Sequence, residues 1–253
     1  MDKAEHALTG TRDDVSHQDG DIGREYIQLS QQWLYAVRVG EDTNRYARLL
    51  ADVEQVALNT ALNDDVKRKT FWINIYNAVV QMALQSDPEV WQHRNRFFAS
   101  KRLSIAGTRL SLDDVEHGIL RRSKNKWSLG YLNKLIVGQF EKTFRVAALD
   151  YRIHFALNCG ARSCPPIAFY AEEKIEAQLR DAMIGYLTTE TLYDALQNRV
   201  TVPAFMGWFR GDFGGIAGIQ ALLRDSGVIP LNSSPRIDFA PYNWQPYLNN
   251  FTT

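Results

Sequence analysis

Residues 71–85, Phe-Trp-Ile-Asn-Ile-Tyr-Asn-Ala-Val-Val-Gln-Met-Ala-Leu-Gln, place the tightest limit on what this chain can fold into. Asn63-Asp64-Asp65 supply capping residues upstream and Asp87-Pro88 stops the run, so the pattern predicts one helix from about residue 63 to about Gln85. The preceding Lys67-Arg68-Lys69 read as a solvated first turn or two. Beyond them apolar side chains occur all round the helix, so it must be covered on most sides and lie centrally. The exceptions are Asn74, Asn77, Gln81 and Gln85, one stripe of amides at spacings of three, four and four. A solvent edge usually carries Lys and Glu, and this one has none. Buried amides need partners, at a cost of roughly 1–3 kcal/mol each if left without them. The stripe is expected to face a polar pocket; a thin solvent-facing edge is the bland alternative.

The chemistry-bearing types gather in a second stretch, residues 151–167, Tyr-Arg-Ile-His-Phe-Ala-Leu-Asn-Cys-Gly-Ala-Arg-Ser-Cys-Pro-Pro-Ile. It holds both cysteines and one of the five histidines. Ile153, Phe155 and Leu157 alternate with His154, Ala156 and Asn158, which predicts a half-buried strand. Gly160 allows a turn and Pro165-Pro166 forbids an immediate helix. Two readings stay open. Free cysteines in a core are often simply small hydrophobes. The sharper reading is a thiol nucleophile with a histidine base, which also needs an orienting group and oxyanion donors.

The rest of the chain supplies scaffold. Residues 1–21 are polar and read as a flexible tail, followed by one domain over 22–253. A helix is expected from Ile22 to Val39 and another from Asp42 or Thr43 through Leu58, with Tyr46, Leu49, Leu50, Val53 and Val56 inward. Residues 102–110 read as a hairpin turning at Ala106-Gly107. Ser111 caps a helix to Arg122 with Asp113 and Asp114 in its first turn; Glu116 and His117 flank its buried side. Further helices are expected over 171–187, from Pro203 and over 216–223, with a short strand or turn at 198–201 and an aromatic-rich tail from Phe239 to Phe251. The architecture predicted is α+β: a single, mostly helical domain packed on a small antiparallel sheet formed by the hairpin and residues 152–158.

Bulk properties narrow the function class. Lys+Arg and Asp+Glu both number 29, and this balance disfavours nucleic acid as a partner. The N-terminus lacks the apolar core of a signal peptide, and the run from Phe71 to Leu84 is too short to span a bilayer. Two cysteines make no disulfide framework for such a chain. A cytoplasmic protein with reduced thiols is expected, acting on a small-molecule or peptide substrate without membrane or cofactor.

Five ordered blocks together resemble the DUF547 domain family of bacteria and plants. They are Phe71-Trp-Ile-Asn-Ile-Tyr-Asn-Ala78, Ser111 to Arg121, His154-Phe-Ala-Leu-Asn-Cys-Gly-Ala-Arg-Ser-Cys-Pro165, Trp208-Phe209 with Asp212-Phe213, and Tyr242-Asn-Trp244. The resemblance runs from about residue 65 to 250. The family label is a placeholder, so it implies positions rather than an activity: Asn74, Asn77, Glu116, His154 and Cys159. Plant members often carry Ser at the position of Cys164, and some lose the histidine; this chain keeps both.

The residue types are similar to those of papain-like and transglutaminase-like sites, an analogy of composition only. The expected reading is a thiol-dependent hydrolase or acyltransferase acting on an amide, peptide or thioester bond. Cys159 would be nucleophile, His154 base and Glu116 orienter. Asn74 or Asn77 and the backbone N–H groups of 159–163 would form the oxyanion site, and Arg162, Ser163 and Cys164 would line it. In a straight strand, however, His154 and Cys159 would stand roughly 16 Å apart on opposite faces. They meet only if the chain bends after Asn158. Cys164 as nucleophile and His117 as base are the alternatives. Zinc on His154, Cys159 and Cys164 lacks a clear fourth ligand, and a C-x₄-C redox pair departs from the commoner C-x-x-C spacing. A non-catalytic scaffold or interaction domain is the rival outside enzyme chemistry.

Overall fold

The computed structural model describes residues 12–252, with side chains from residue 24. Helix α1 (Arg12–Val39) begins inside the stretch read as a tail, whose first eleven residues lie outside the described range. Trp33, Leu34 and Val37 of α1 are buried, and the helix lies along α4 (below). The single helix expected from residue 43 is two, α2 (Asn44–Asp52) and α3 (Gln55–Ala61), with extended backbone at Val53 and Glu54 between them. The break lets Leu50 and Leu58 both reach the core while Leu49 and Val56, expected inward, face solvent. The carbonyls of Leu50 and Ala51, orphaned at the helix end, accept from the N–H groups of Ala106 and Gly107.

Helix α4 (Asp65–Ser86) is central as expected, with an unbroken buried run from Lys69 to Gln81. Asp64 caps it by accepting from the Lys67 N–H at 2.9 Å. Lys69 departs from the expected solvated turn. It is 6% exposed and bonds Asp150 and Glu176, each at 2.8 Å, tying α4 to both segments. A 3₁₀ turn (Pro88–His93) and α5 (Arg94–Ala99) lead to the hairpin β1 (Leu103–Ile105) and β2 (Thr108–Leu110), paired as expected.

Next comes a π-helix, Asp114–Leu120, closed by i→i+5 bonds such as Arg121 N–H to Glu116 C=O at 2.8 Å. Ser111 and Asp114 cap its entry reciprocally. After α6 (Gln139–Phe144), residues Tyr151–Phe155 form a 3₁₀ turn started by the Asp150 side chain, not the expected strand. Ile153 and Leu157 pack into the larger core while Phe155 enters a second apolar cluster. The segment is buried on all sides, where alternation no longer distinguishes strand from helix.

Helix α7 (Ile175–Glu190), the hairpin β3 (Leu192–Asp194) and β4 (Arg199–Val202), α8 (Ala204–Trp208), α9 (Gly215–Asp225) and β5 (Arg236–Phe239) complete the chain. Strand β5 pairs parallel to β4, so this second sheet is mixed. The result is a mostly helical α+β domain with two small sheets. No helix among the described residues is long and apolar enough to cross a membrane.

Candidate functional site

The chain reverses just after Asn158, the bend on which a site at this place depends. Gly160 has φ +92°, and a Cβ there would stand 2.3 Å from Leu84 Cδ1, so both conformation and space call for glycine. Asn158 shapes the turn with its side chain, accepting from Gly160 N–H at 2.8 Å and donating to Pro165 C=O at 2.8 Å. The loop returns Cys164 to Cys159: the sulfurs lie 2.7 Å apart as free thiols, and Cys159 N–H donates to Cys164 Sγ at 3.0 Å.

A cavity of about 330 Å³ opens over this pair, with Glu116, His117, His154 and Tyr242 also in its wall. The C-terminal segment forms a lid edge on the loop. Arg162 N–H donates to Gln245 C=O, Ser163 Oγ accepts from Asn243 N–H, and Tyr247 N–H donates to Gly160 C=O. These bonds carry Tyr242 to the sulfurs, its hydroxyl 3.3 Å from Cys159 and 3.2 Å from Cys164. Trp244 stacks on Trp208 beside it.

Behind the cavity lies a buried charge cluster. The Asp212 side chain has no exposure and accepts from Arg121 Nε at 2.6 Å, Arg121 Nη2 at 3.1 Å and His154 Nε2 at 2.8 Å. Arg121, itself fully buried, also donates from Nη1 to His117 Nδ1 at 2.9 Å. Its guanidinium and the His154 ring both pack on Phe209. A guanidinium only donates, so His117 Nδ1 is an acceptor and its proton sits on Nε2. A carboxylate only accepts, so His154 carries its proton on Nε2 and keeps Nδ1 as a basic nitrogen.

Burial would raise the Asp212 carboxyl, but the bonds from His154 and Arg121 outweigh it and hold it below its ordinary range. Burial lowers His154 despite that carboxylate, because Arg121 already neutralises it. Burial, then Arg121 and Lys126, push His117 well down. Both imidazoles are therefore neutral at pH 7. Cys159 is pushed well up by its hydrogen bond to Cys164 and by burial. Burial opposes ionisation of Cys164 too, but donors from Cys159, Tyr242 and the loop backbone overcome it and lower that thiol.

Several expectations are corrected by this geometry. Glu116 does not orient His154; its Oε2 accepts from the Tyr76 hydroxyl at 3.0 Å, and burial raises its carboxyl. Asp212 occupies the orienting position instead. Asn74 and Asn77 lie away from the cavity, gripping backbone: Asn74 bonds both N–H and C=O of Tyr170, and Asn77 bonds Ala156 C=O and Asn158 N–H. Gln81 likewise holds Asn158 and Asn249. The N–H groups of 159, 160, 162 and 163 are already committed, leaving no oxyanion site among those four. Exposed Arg162 lies over Tyr247, and Ser163 straps down the tail. Cys159, Cys164 and His154 do share one cavity, although no hydrogen bond joins either sulfur to an imidazole among the described residues.

Arg121, Asp212 and Tyr242 carry roles that sequence reasoning left unassigned. Arg121 had a signal, a cation directly after Gly-Ile-Leu on a helix, and Asp212 stood in one of the five family blocks. Among the described residues no group of three or more His, Cys, Asp or Glu side chains is placed to hold a metal ion.

Fold and site define a class: a helical α+β domain with a cysteine pair and a carboxylate-bound histidine sharing one cavity. Residues 60–187, just over half of the chain, match the family described as "Protein of unknown function, DUF547", and the chain belongs to that family. Comparison with curated proteins and with solved structures gives no match.

Proposed function

We propose that this protein is a thiol-dependent acyl-transfer enzyme, a hydrolase or acyltransferase acting on an amide, peptide or thioester carbonyl. The observation that carries the reading is the convergence of both sulfurs with a neutral histidine backed by a buried carboxylate. Cys164 is the nucleophile, because it receives a backbone N–H and a hydroxyl that stabilise its thiolate. As its sulfur attacks the carbonyl carbon, the Cys164 proton passes to His154 Nδ1. The bond from the carbonyl carbon to the leaving nitrogen, oxygen or sulfur then breaks, and the leaving group departs with that proton, leaving a thioester. A water or acceptor then adds to the thioester with His154 Nδ1 as base. His117 Nε2–H and the Tyr242 hydroxyl, both in the cavity wall, are the neutral donors for the oxyanion. Asp212 holds the His154 tautomer that this cycle requires.

The test uses iodoacetamide at pH 6.5 and a panel of activated thioesters and aryl esters, read by mass spectrometry of the intact chain and its peptides. The proposal expects fast alkylation of Cys164 and an acyl adduct there, with both diminished in C164S and turnover lost in H154A. Thiols as inert as those of the denatured chain at that pH, with no adduct from any ester, would overturn it.

A further inference from the structure

The acyl-transfer cycle needs one sulfur, and the site holds two in contact. Both sulfurs line the one cavity; Cys159 is half-buried and Cys164 is 4% exposed. Their separation of 2.7 Å compares with about 2.05 Å in a disulfide, so closure asks for well under one ångström of movement. The loop between them is held in that shape from within. Asn158 Nδ2 bridges to Pro165 C=O and Cys164 N–H donates to Ala161 C=O at 3.0 Å, so the sulfurs cannot drift apart without breaking buried bonds. The Tyr242 hydroxyl caps both sulfurs from the cavity side.

We propose that Cys164 is a site of reversible oxidation by hydroperoxides and that Cys159 is its resolving thiol, the pair closing to a disulfide that withdraws the nucleophile. The Cys164 thiolate attacks the distal peroxide oxygen; an S–O bond forms, the O–O bond breaks, and the alkoxide leaves as alcohol after taking a proton. Cys159 then attacks Cys164 Sγ, the S–O bond breaks, and the oxygen departs with the Cys159 proton as water. The sum is two thiols and one hydroperoxide giving one disulfide, one alcohol and one water. Two equivalents of a small thiol restore the dithiol and are themselves oxidised to a disulfide. The resolving partner also guards Cys164 against irreversible over-oxidation, since the sulfenic acid forms already in contact with a thiol. As control of acyl transfer this rests on the preceding proposal; as chemistry of the sulfur pair it does not.

The experiment treats the full chain with tert-butyl hydroperoxide at pH 7 and counts free thiols. It then maps linked peptides by mass spectrometry before and after dithiothreitol. Expected is the loss of both thiols, one Cys159–Cys164 linked peptide, and full recovery on reduction, with a rate constant roughly tenfold above that of glutathione, whose thiol is only a few per cent ionised at this pH. In C159S, dimedone captures a sulfenic acid on Cys164; in C164S, Cys159 stays reduced. Two free thiols persisting in the wild type, or dimedone capture at Cys159 instead, would overturn the assignment, and the wild-type reading needs no variant to fold. A disulfide that closes in a protein forming no acyl adduct sinks only the acyl-transfer reading. An acyl adduct without disulfide closure sinks only this one.

Discussion

Substitution of Asp212 by asparagine keeps the shape of the buried cluster and removes the anion that bonds both Arg121 and His154. Arg121 presents two N–H groups to Asp212 and His154 presents one, and the carboxylate meets all three with its two oxygens. An amide has a single oxygen, so whichever way it is turned its NH₂ faces a donor. The Arg121 guanidinium, with no exposure, loses the carboxylate it is hydrogen-bonded to. Breaking a buried ion pair from one side costs about 3–5 kcal/mol. For a chain of this length each kcal/mol moves Tm by roughly 2–4 °C, so D212N should melt roughly 6–20 °C below wild type. Thermal unfolding followed by far-UV circular dichroism at pH 7.5 measures this. The double variant R121M/D212N removes the stranded cation and should melt above D212N, although it carries one more substitution. If D212N melts within about 2 °C of wild type, or if the second change only adds a further loss, the three residues do not act as one charge-balanced unit.

Three other outcomes follow from named contacts. Asn77→Ala strands Ala156 C=O and Asn158 N–H, and should lower the urea-unfolding free energy by roughly 2–6 kcal/mol; a loss below about 1 kcal/mol would mean the 156–158 segment finds other partners. Gly160→Ala meets both a positive φ and Leu84 Cδ1, so a cost of about 1–3 kcal/mol is expected, part of it relieved in G160A/L84A; a neutral single substitution would show that the turn is not needed as drawn. His117 is depressed in the folded state, so below its unfolded value near 6.5 the unfolded chain binds a proton that the native one refuses. Stability should therefore fall as pH drops below about 6.5, by up to roughly 1.4 kcal/mol per unit from this residue, and Tm against pH for H117Q should be flatter over pH 5–6.5 than for wild type.

Legibility in the sequence followed the reach of each physical signal. The central helix was readable because a long run that is apolar on nearly every face fits little besides a buried helix, and Asp64 and Pro88 mark its ends locally. The 102–110 hairpin and the Ser111 cap were readable because turn and cap chemistry act within four residues. The turn at Gly160 could be required but not shown, since the positive φ and the contact with Leu84, 76 positions upstream, that exclude a side chain there both arise only in the folded chain. The strand over 152–158 failed because full burial erases the polar half of an alternating pattern. The amide stripe was rightly seen as needing partners, but amides bind backbone as readily as substrate, and residue type does not separate the two. Asp212 was out of reach as the orienter of His154, 58 positions away, with Glu116 an equally suitable carboxylate by type.

That long-range placement gives the site its internal logic. Arg121 donates both to His117 and, through Asp212, towards His154, so one guanidinium fixes two imidazoles with opposite free nitrogens. His117 is left with a donor, Nε2–H, and His154 with an acceptor, Nδ1. A second positive charge is unfavourable among these buried groups, because burial and the Arg121 cation both oppose it, and both rings stay neutral. A neutral acid-type group and a neutral base-type group, each held by the same fixed charge, thus share a wall with a thiolate-favouring sulfur. In the acyl-transfer cycle proposed above, His154 carries the proton while His117 only hydrogen-bonds the oxyanion, and two residues of like type could not divide the work in this way unless something outside them broke their equivalence.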